Sequence, residues 1–122
     1  IKELFEKEAE IQQKGFPENI TDAIFPLLFF TAVILVPVSE EILFRGMAYT
    51  VLKKKFGVNR GILLSALLFS LLHQMVFYFV PIFLMGIVFA YVYEKTKSLL
   101  PSILSHALIN LFAMIITIYT TR

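Results

Sequence analysis

From Gly61 to Tyr93 the chain contains no Asp, Glu, Lys or Arg, and His73 is the one imidazole in the stretch. As one straight helix, these roughly 33 residues would reach about 50 Å, well beyond a hydrocarbon core of about 30 Å. The stretch must therefore break. Pro81, after "HQMVFYFV", is the expected place. The reading predicts two short helices, about 61–75 and 81–94, with a turn between them. A second uncharged run, Ala23 to Ser39, spans roughly 25 Å as a helix, close to the short end of a membrane span. Asp22 is its candidate cap. Pro26 falls in its first turn, where proline is tolerated, whereas Pro37 should kink or break it. A last helix, about 99–119, starts with Pro101 in its first turn and is long enough to cross a bilayer.

Composition supports lipid as the solvent. The 122 residues are 58% hydrophobic and 16% charged, with a mean hydropathy of +0.80. Soluble domains carry about 25% charged residues. The expected fold is all-α: a polytopic transmembrane bundle with a broken or short-helix hairpin, forming the core of a longer chain. Residues 1–22 are expected to form an interfacial or linker helix, and residues 23–122 the membrane core. There are no cysteines, which excludes a disulfide framework, a thiol nucleophile and a cysteine zinc site. A net charge of +2 is too small to suggest nucleic acid as a partner.

Within residues 1–14, Ile1, Leu4, Phe5, Ala9 and Ile11 recur at roughly helical spacing, with Gly15 and Pro17 as terminators. The opposite face bears both signs of charge. That favours a solvated linker helix over a membrane-surface helix, whose polar face is usually basic. From Glu40 to Lys55 a further helical pattern ends in Lys53, Lys54 and Lys55, and Gly57 is expected to terminate it. With Arg60, and with Lys95 and Lys97 in the next polar loop, these lysines place two basic loops on one side, the cytoplasmic one. Localisation is thus expected to be integral and multi-pass, in the plasma membrane if the source is bacterial.

The chemistry resides in polar groups stranded among these helices: Glu40, Glu41, Arg45, His73, His106 and Asn110. A charged side chain at a helix centre costs about 2.5–3.5 kcal/mol, so several together point to a site facing the bundle interior. Glu41 and Arg45 are four residues apart and can pair, which reads first as a structural pin. Glu40 lies about 100° away around the helix, free of that pair. Alone it could be an interfacial carboxylate welcomed by a helix N-terminus, with Ser39 as the cap of a helix starting there. His73 could be a satisfied core histidine. His106 and Asn110, one turn apart, could be interhelical hydrogen-bonding glue. Together, one carboxylate, two imidazoles and an amide form a hydrolytic set. Ser39, Ser70 and Ser105 sit in no nucleophile-elbow pattern.

In order and spacing, "EEILFRG", "FSLLH" and "HALIN" match EExxxR, FxxxH and HxxxN. The chain thereby resembles the CPBP (ABI) family, which includes type II CAAX prenyl proteases and bacteriocin-processing or self-immunity proteins. The resemblance covers roughly residues 23–120. It implies an intramembrane endopeptidase in which Glu40 and His73 activate a water and His106 and Asn110 stabilise the oxyanion. Glu41 and Arg45 would orient Glu40 and hold the helix. No cofactor is expected. Zinc held by Glu40, His73 and His106 is the alternative within the enzyme class, although the HExxH helix is absent. A non-proteolytic immunity or scaffold protein is the alternative outside it. The expected partners are the lipid bilayer and a membrane-associated peptide or protein substrate. Short loops favour a bacterial source, and with it a peptide pheromone, bacteriocin precursor or membrane protein rather than a prenylated one.

Overall fold

The computed structural model describes residues 1–13 and 24–121, and every regular element among them is helical. The helices are α1 (Lys2–Gln13), α2 (Phe25–Phe56), α3 (Val58–Leu72), α4 (Phe79–Thr96) and α5 (Leu99–Thr121). Asp22, Gly15 and Pro17, expected as a cap and as terminators, lie outside the described residues. Helices α2, α4 and α5 are long and apolar enough to cross a membrane, while α3 is shorter. This is the expected all-α bundle.

Helix α2 departs from expectation in one respect. It runs through Pro37 without a break, because two wide, π-type segments, Thr31–Leu35 and Ile42–Tyr49, are built into it. In a regular α-helix the proline ring collides with the carbonyl four residues back and leaves it without a donor. The widened turn ahead of Pro37 relieves that conflict; there the Val36 N–H reaches back to the Thr31 carbonyl. Pro37 is fully buried inside the bundle. Consequently no helix begins at Glu40. Ser39 is not a cap: its hydroxyl donates to the Leu35 carbonyl at 2.8 Å, along the same helix.

Gly57, at φ +89°, turns α2 into α3, as expected of a terminator. The next break falls earlier than the sequence suggested. Helix α3 ends at Leu72, Gln74 adopts φ +56°, and Pro81 sits inside the first turn of α4. A proline there loses no helical hydrogen bond, so it begins the second helix rather than separating the two. Lys97, also left-handed at φ +53°, turns α4 into α5. The four helices α2–α5 therefore run up and down in alternation, and both basic loops lie at one end. Glu94 joins them there, accepting from Lys53 at 2.8 Å and from Lys97 and Tyr49.

Helices approach through small residues, as membrane bundles require when lipid is as apolar as the core. A Cβ on Gly86 of α4 would lie 3.0 Å from the Ala66 Cα of α3, and one on Gly61 would lie 2.9 Å from the Lys53 backbone. Between these contacts two small apolar clusters form. Phe44, Phe69 and Ile82 make one; Tyr49, Ile62 and Ala90 make the other. Leu27, Leu63, Leu84, Leu104, Leu108 and Phe112 are exposed, as expected of helix faces solvated by lipid.

Helix α1 is not the freely solvated linker that its charged face suggested. It docks on the turn between α3 and α4. Its Glu8 accepts from the backbone N–H groups of Val76 and Phe77, both at 2.9 Å. Phe5 meets Phe77 edge to face, with centroids 5.3 Å apart.

Candidate active site

Glu40 and Glu41 are neighbours on α2, yet they have opposite surroundings. The 100° rotation per residue aims Glu41 into the bundle and leaves Glu40 partly exposed, facing His73 and His106. Glu41 is completely buried, whereas 27% of the Glu40 side chain is exposed.

Glu41 is held from two sides. Arg45, one turn further along α2, places Nη1 3.2 Å from Glu41 Oε1. His106 Nδ1, arriving on α5, lies 2.8 Å from the same oxygen. Arg45 Nη2 donates to the Gly86 carbonyl of α4 at 3.1 Å. The guanidinium packs over Phe69 and Phe89, with Cζ 4.6 and 5.2 Å from their centroids. Its Nη1 contact with Glu41 is an ion pair by distance but is not aligned as a hydrogen bond, and Arg45 Nε and Glu41 Oε2 have no hydrogen-bond partner. The pair is therefore only partly satisfied. The two side chains meet as their four-residue spacing allows, and their contacts link α2 to α4 and α5.

Glu40 faces both imidazoles. His106 Nε2 lies 3.4 Å from Glu40 Oε2, and His73 Nε2 lies 4.0 Å from Oε1. The other nitrogen of each ring meets an acceptor that takes a proton: Nδ1 of His73 is 2.6 Å from the Phe69 carbonyl, and Nδ1 of His106 faces Glu41. Those contacts select the tautomer with the proton on Nδ1. In a neutral imidazole the Nε2 lone pairs then point at the carboxylate. Three acceptors then converge, an arrangement whose lone pairs call for O–H or N–H donors. Aromatic rings lock the orientation of both imidazoles. Phe89 stacks on His106 at 4.8 Å and 19°, and Phe69 packs against His73 at 4.5 Å.

Asn110 lies one turn beyond His106 on α5. Its Nδ2 donates to the Ala32 carbonyl at 2.9 Å, in the wide segment of α2. One amide N–H is thus used to hold α5 against α2, and the second is left over. The serine hydroxyls near the site donate to main-chain carbonyls: Ser39 to Leu35, Ser70 to Phe79 and Ser105 to Pro101.

A zinc ion needs several N and O ligands at about 2.0–2.2 Å from one point. Among the described residues, no group of three His, Cys, Asp or Glu side chains is placed to hold one.

The structure thus gathers Glu40, Glu41, Arg45, His73 and His106 into one connected site, with Asn110 bracing the same helices. Sequence reasoning missed several contributors. Phe69, one turn before His73, was only a motif letter. Phe89 lies three residues after Gly86, and a glycine in mid-helix signals a close approach. Glu8 is the most legible of the missed residues. At helical spacing it falls at the centre of the stripe formed by Ile1, Leu4, Phe5 and Ile11, a face that should hold no carboxylate.

A small helical membrane bundle with a carboxylate and two imidazoles brought together from three helices belongs to the class of intramembrane sites built on polar residues of facing helices. A family model described as "Type II CAAX prenyl endopeptidase Rce1-like" matches residues 22–112, and the chain belongs to that family. It is accordingly an integral membrane protein, and the resemblance drawn from the three motifs holds. The chain is 29% identical over 97 residues to "Putative membrane peptidase YdiL" of Bacillus subtilis (strain 168), covering 80% of this chain and 40% of that one. It is 33% identical over 80 residues to "UPF0177 protein YxdF" of Lactococcus lactis subsp. lactis (strain IL1403), covering 65% and 44%. The chain spans less than half the length of these curated relatives. No solved structure matches it.

Proposed function

We propose that this chain carries the active site of an intramembrane endopeptidase, which hydrolyses a peptide bond in a membrane-associated peptide or protein. The observation that carries the reading is Glu40, its carboxylate set between His106 Nε2 at 3.4 Å and His73 Nε2 at 4.0 Å. A water bridging Glu40 and His73 donates one hydrogen bond to each. Glu40 takes the proton as the water oxygen bonds to the scissile carbonyl carbon. The second N–H of Asn110 stabilises the resulting oxyanion, and His106 joins it in the form that carries protons on both ring nitrogens, with Nδ1–H kept on Glu41 and Nε2–H donating to the oxyanion. The C–N bond then breaks as the proton on Glu40 passes to the leaving amine. Glu41 and Arg45 act indirectly: Glu41 fixes the tautomer and angle of His106, and Arg45 fixes Glu41.

The chemistry is proposed to be metal-independent, and the site's location the plasma membrane of a bacterium. A site set among membrane-spanning helices favours a substrate that is hydrophobic next to the scissile bond. A peptide precursor or membrane protein suits this better than a soluble protein. The test compares membrane peptidomes of cells expressing the wild-type protein and Glu40→Gln. Fragments present with the first and absent with the second support the reading. Identical peptidomes, with full biological function kept by Glu40→Gln, establish a scaffold or immunity role instead.

A further inference from the structure

We infer that Glu8 is a positioning residue for this site, acting through the turn between α3 and α4; the inference rests on the proposed role of His73. His73 is the residue at which α3 ends, so its place opposite Glu40 depends on the turn that follows it. Helix α3, at 15 residues, reaches only about 22 Å and stops short of a hydrocarbon core of about 30 Å. The turn of residues 73–78 immediately precedes α4, at the end of the bundle away from the basic loops, and backbone N–H groups left unpaired next to the hydrocarbon are costly.

Two fixings hold this turn. On the bundle side, the Ser70 hydroxyl donates to the Phe79 carbonyl at 2.8 Å, tying the end of α3 to the start of α4. On the outer side, the two carboxylate oxygens of Glu8 each accept one N–H, from Val76 and from Phe77, both at 2.9 Å. The carboxylate also sits at the N-terminal end of α4, where the helix dipole favours negative charge. Glu8 is buried, and the Phe5–Phe77 ring contact seals its flank. A linker helix would have no reason to bury a carboxylate at the centre of its apolar stripe. A helix that clamps the turn next to a working histidine does.

Removing the clamp frees the turn, and with it the His73–Glu40 separation. A displacement of about 1 Å of a reacting group can cost on the order of 100-fold in rate. The test uses the full protein in lipid nanodiscs, as wild type, Glu8→Ala, Glu8→Gln and the exposed control Glu6→Ala. Three quantities are read: amide exchange at Val76 and Phe77, the ring signals of His73 in histidine-labelled protein, and kinetics on a quenched peptide with a hydrophobic segment beside the scissile bond. Glu8→Ala should speed exchange at both amides at least tenfold, move the His73 signals but not those of His106, and lower kcat 10- to 100-fold with KM unchanged. Glu8→Gln keeps an acceptor oxygen and should fall between it and wild type. Unchanged exchange overturns the inference. So does faster exchange with unmoved His73 signals, or a loss expressed in KM alone. If wild type cleaves nothing, the proposed activity fails, while exchange and the His73 signals still decide whether Glu8 sets His73.

Discussion

Two adjacent glutamates should respond in opposite ways to the same substitution. Glu41→Gln removes a buried negative charge that faces Arg45 at 3.2 Å and His106 at 2.8 Å. Breaking one side of a buried pair costs about 3–5 kcal/mol, because the remaining charge is left without compensation. Two features place this case at the low end. The amide oxygen of glutamine can still accept from His106, and the Arg45 contact was not an aligned hydrogen bond to begin with. The expected loss is therefore about 3 kcal/mol, equivalent to roughly 10 °C in melting temperature for a chain of this size. Glu40→Gln, at a partly open position and with no aligned hydrogen bond to lose, should change stability by less than about 1 kcal/mol while abolishing peptide cleavage. Thermal unfolding of the detergent-solubilised variants, followed by circular dichroism and by retention of monodispersity, measures both. Equal shifts for the two variants would refute the division of labour. So would a Glu41→Gln protein as stable as wild type.

Asn110→Ala removes one of the two proposed oxyanion-stabilising groups and the brace to Ala32, so kcat should fall about 10²–10³-fold, measured on the same quenched peptide. Gly86→Ala forces a Cβ to 3.0 Å from the Ala66 Cα; the overpacking should cost about 1–3 kcal/mol, read as a lower melting temperature. Glu94→Ala unties Lys53, Lys97 and Tyr49 at the basic end; the two lysines are partly open to solvent, while Tyr49 is buried. A loss of about 1 kcal/mol is expected, shrinking when unfolding is repeated at high salt. Cleavage should persist after dialysis against a strong chelator. Loss of activity that zinc restores would overturn the metal-independent mechanism.

Much of this protein was legible in its sequence because a membrane leaves a chain few options. Uncharged runs of given length become helices, since every backbone polar group must be satisfied within its own segment. The spacing of Glu41 and Arg45, and of His106 and Asn110, determined which groups share a helix face. It also set Glu40 apart from its neighbour. What periodicity could not reveal was backbone adjustment. Pro37 looked like a break because the widened turns of α2 depend on packing around a buried proline. Pro81 looked like one because nothing local says whether a proline ends one helix or begins the next.

The pairing across helices belonged to the tertiary structure alone. His106 meets Glu41 across 65 positions, Asn110 meets Ala32 across 78, and Glu8 meets Val76 across 68. Helical spacing determines the direction in which a side chain leaves its own helix. It carries no information on which helix stands opposite, or at what height. Those follow from how closely Gly86 and Ala66 let α3 and α4 approach, and from where a short α3 ends. They decide that Glu41 is consumed by its partners, that Glu40 remains available, and that a carboxylate on the first helix reaches the turn behind His73.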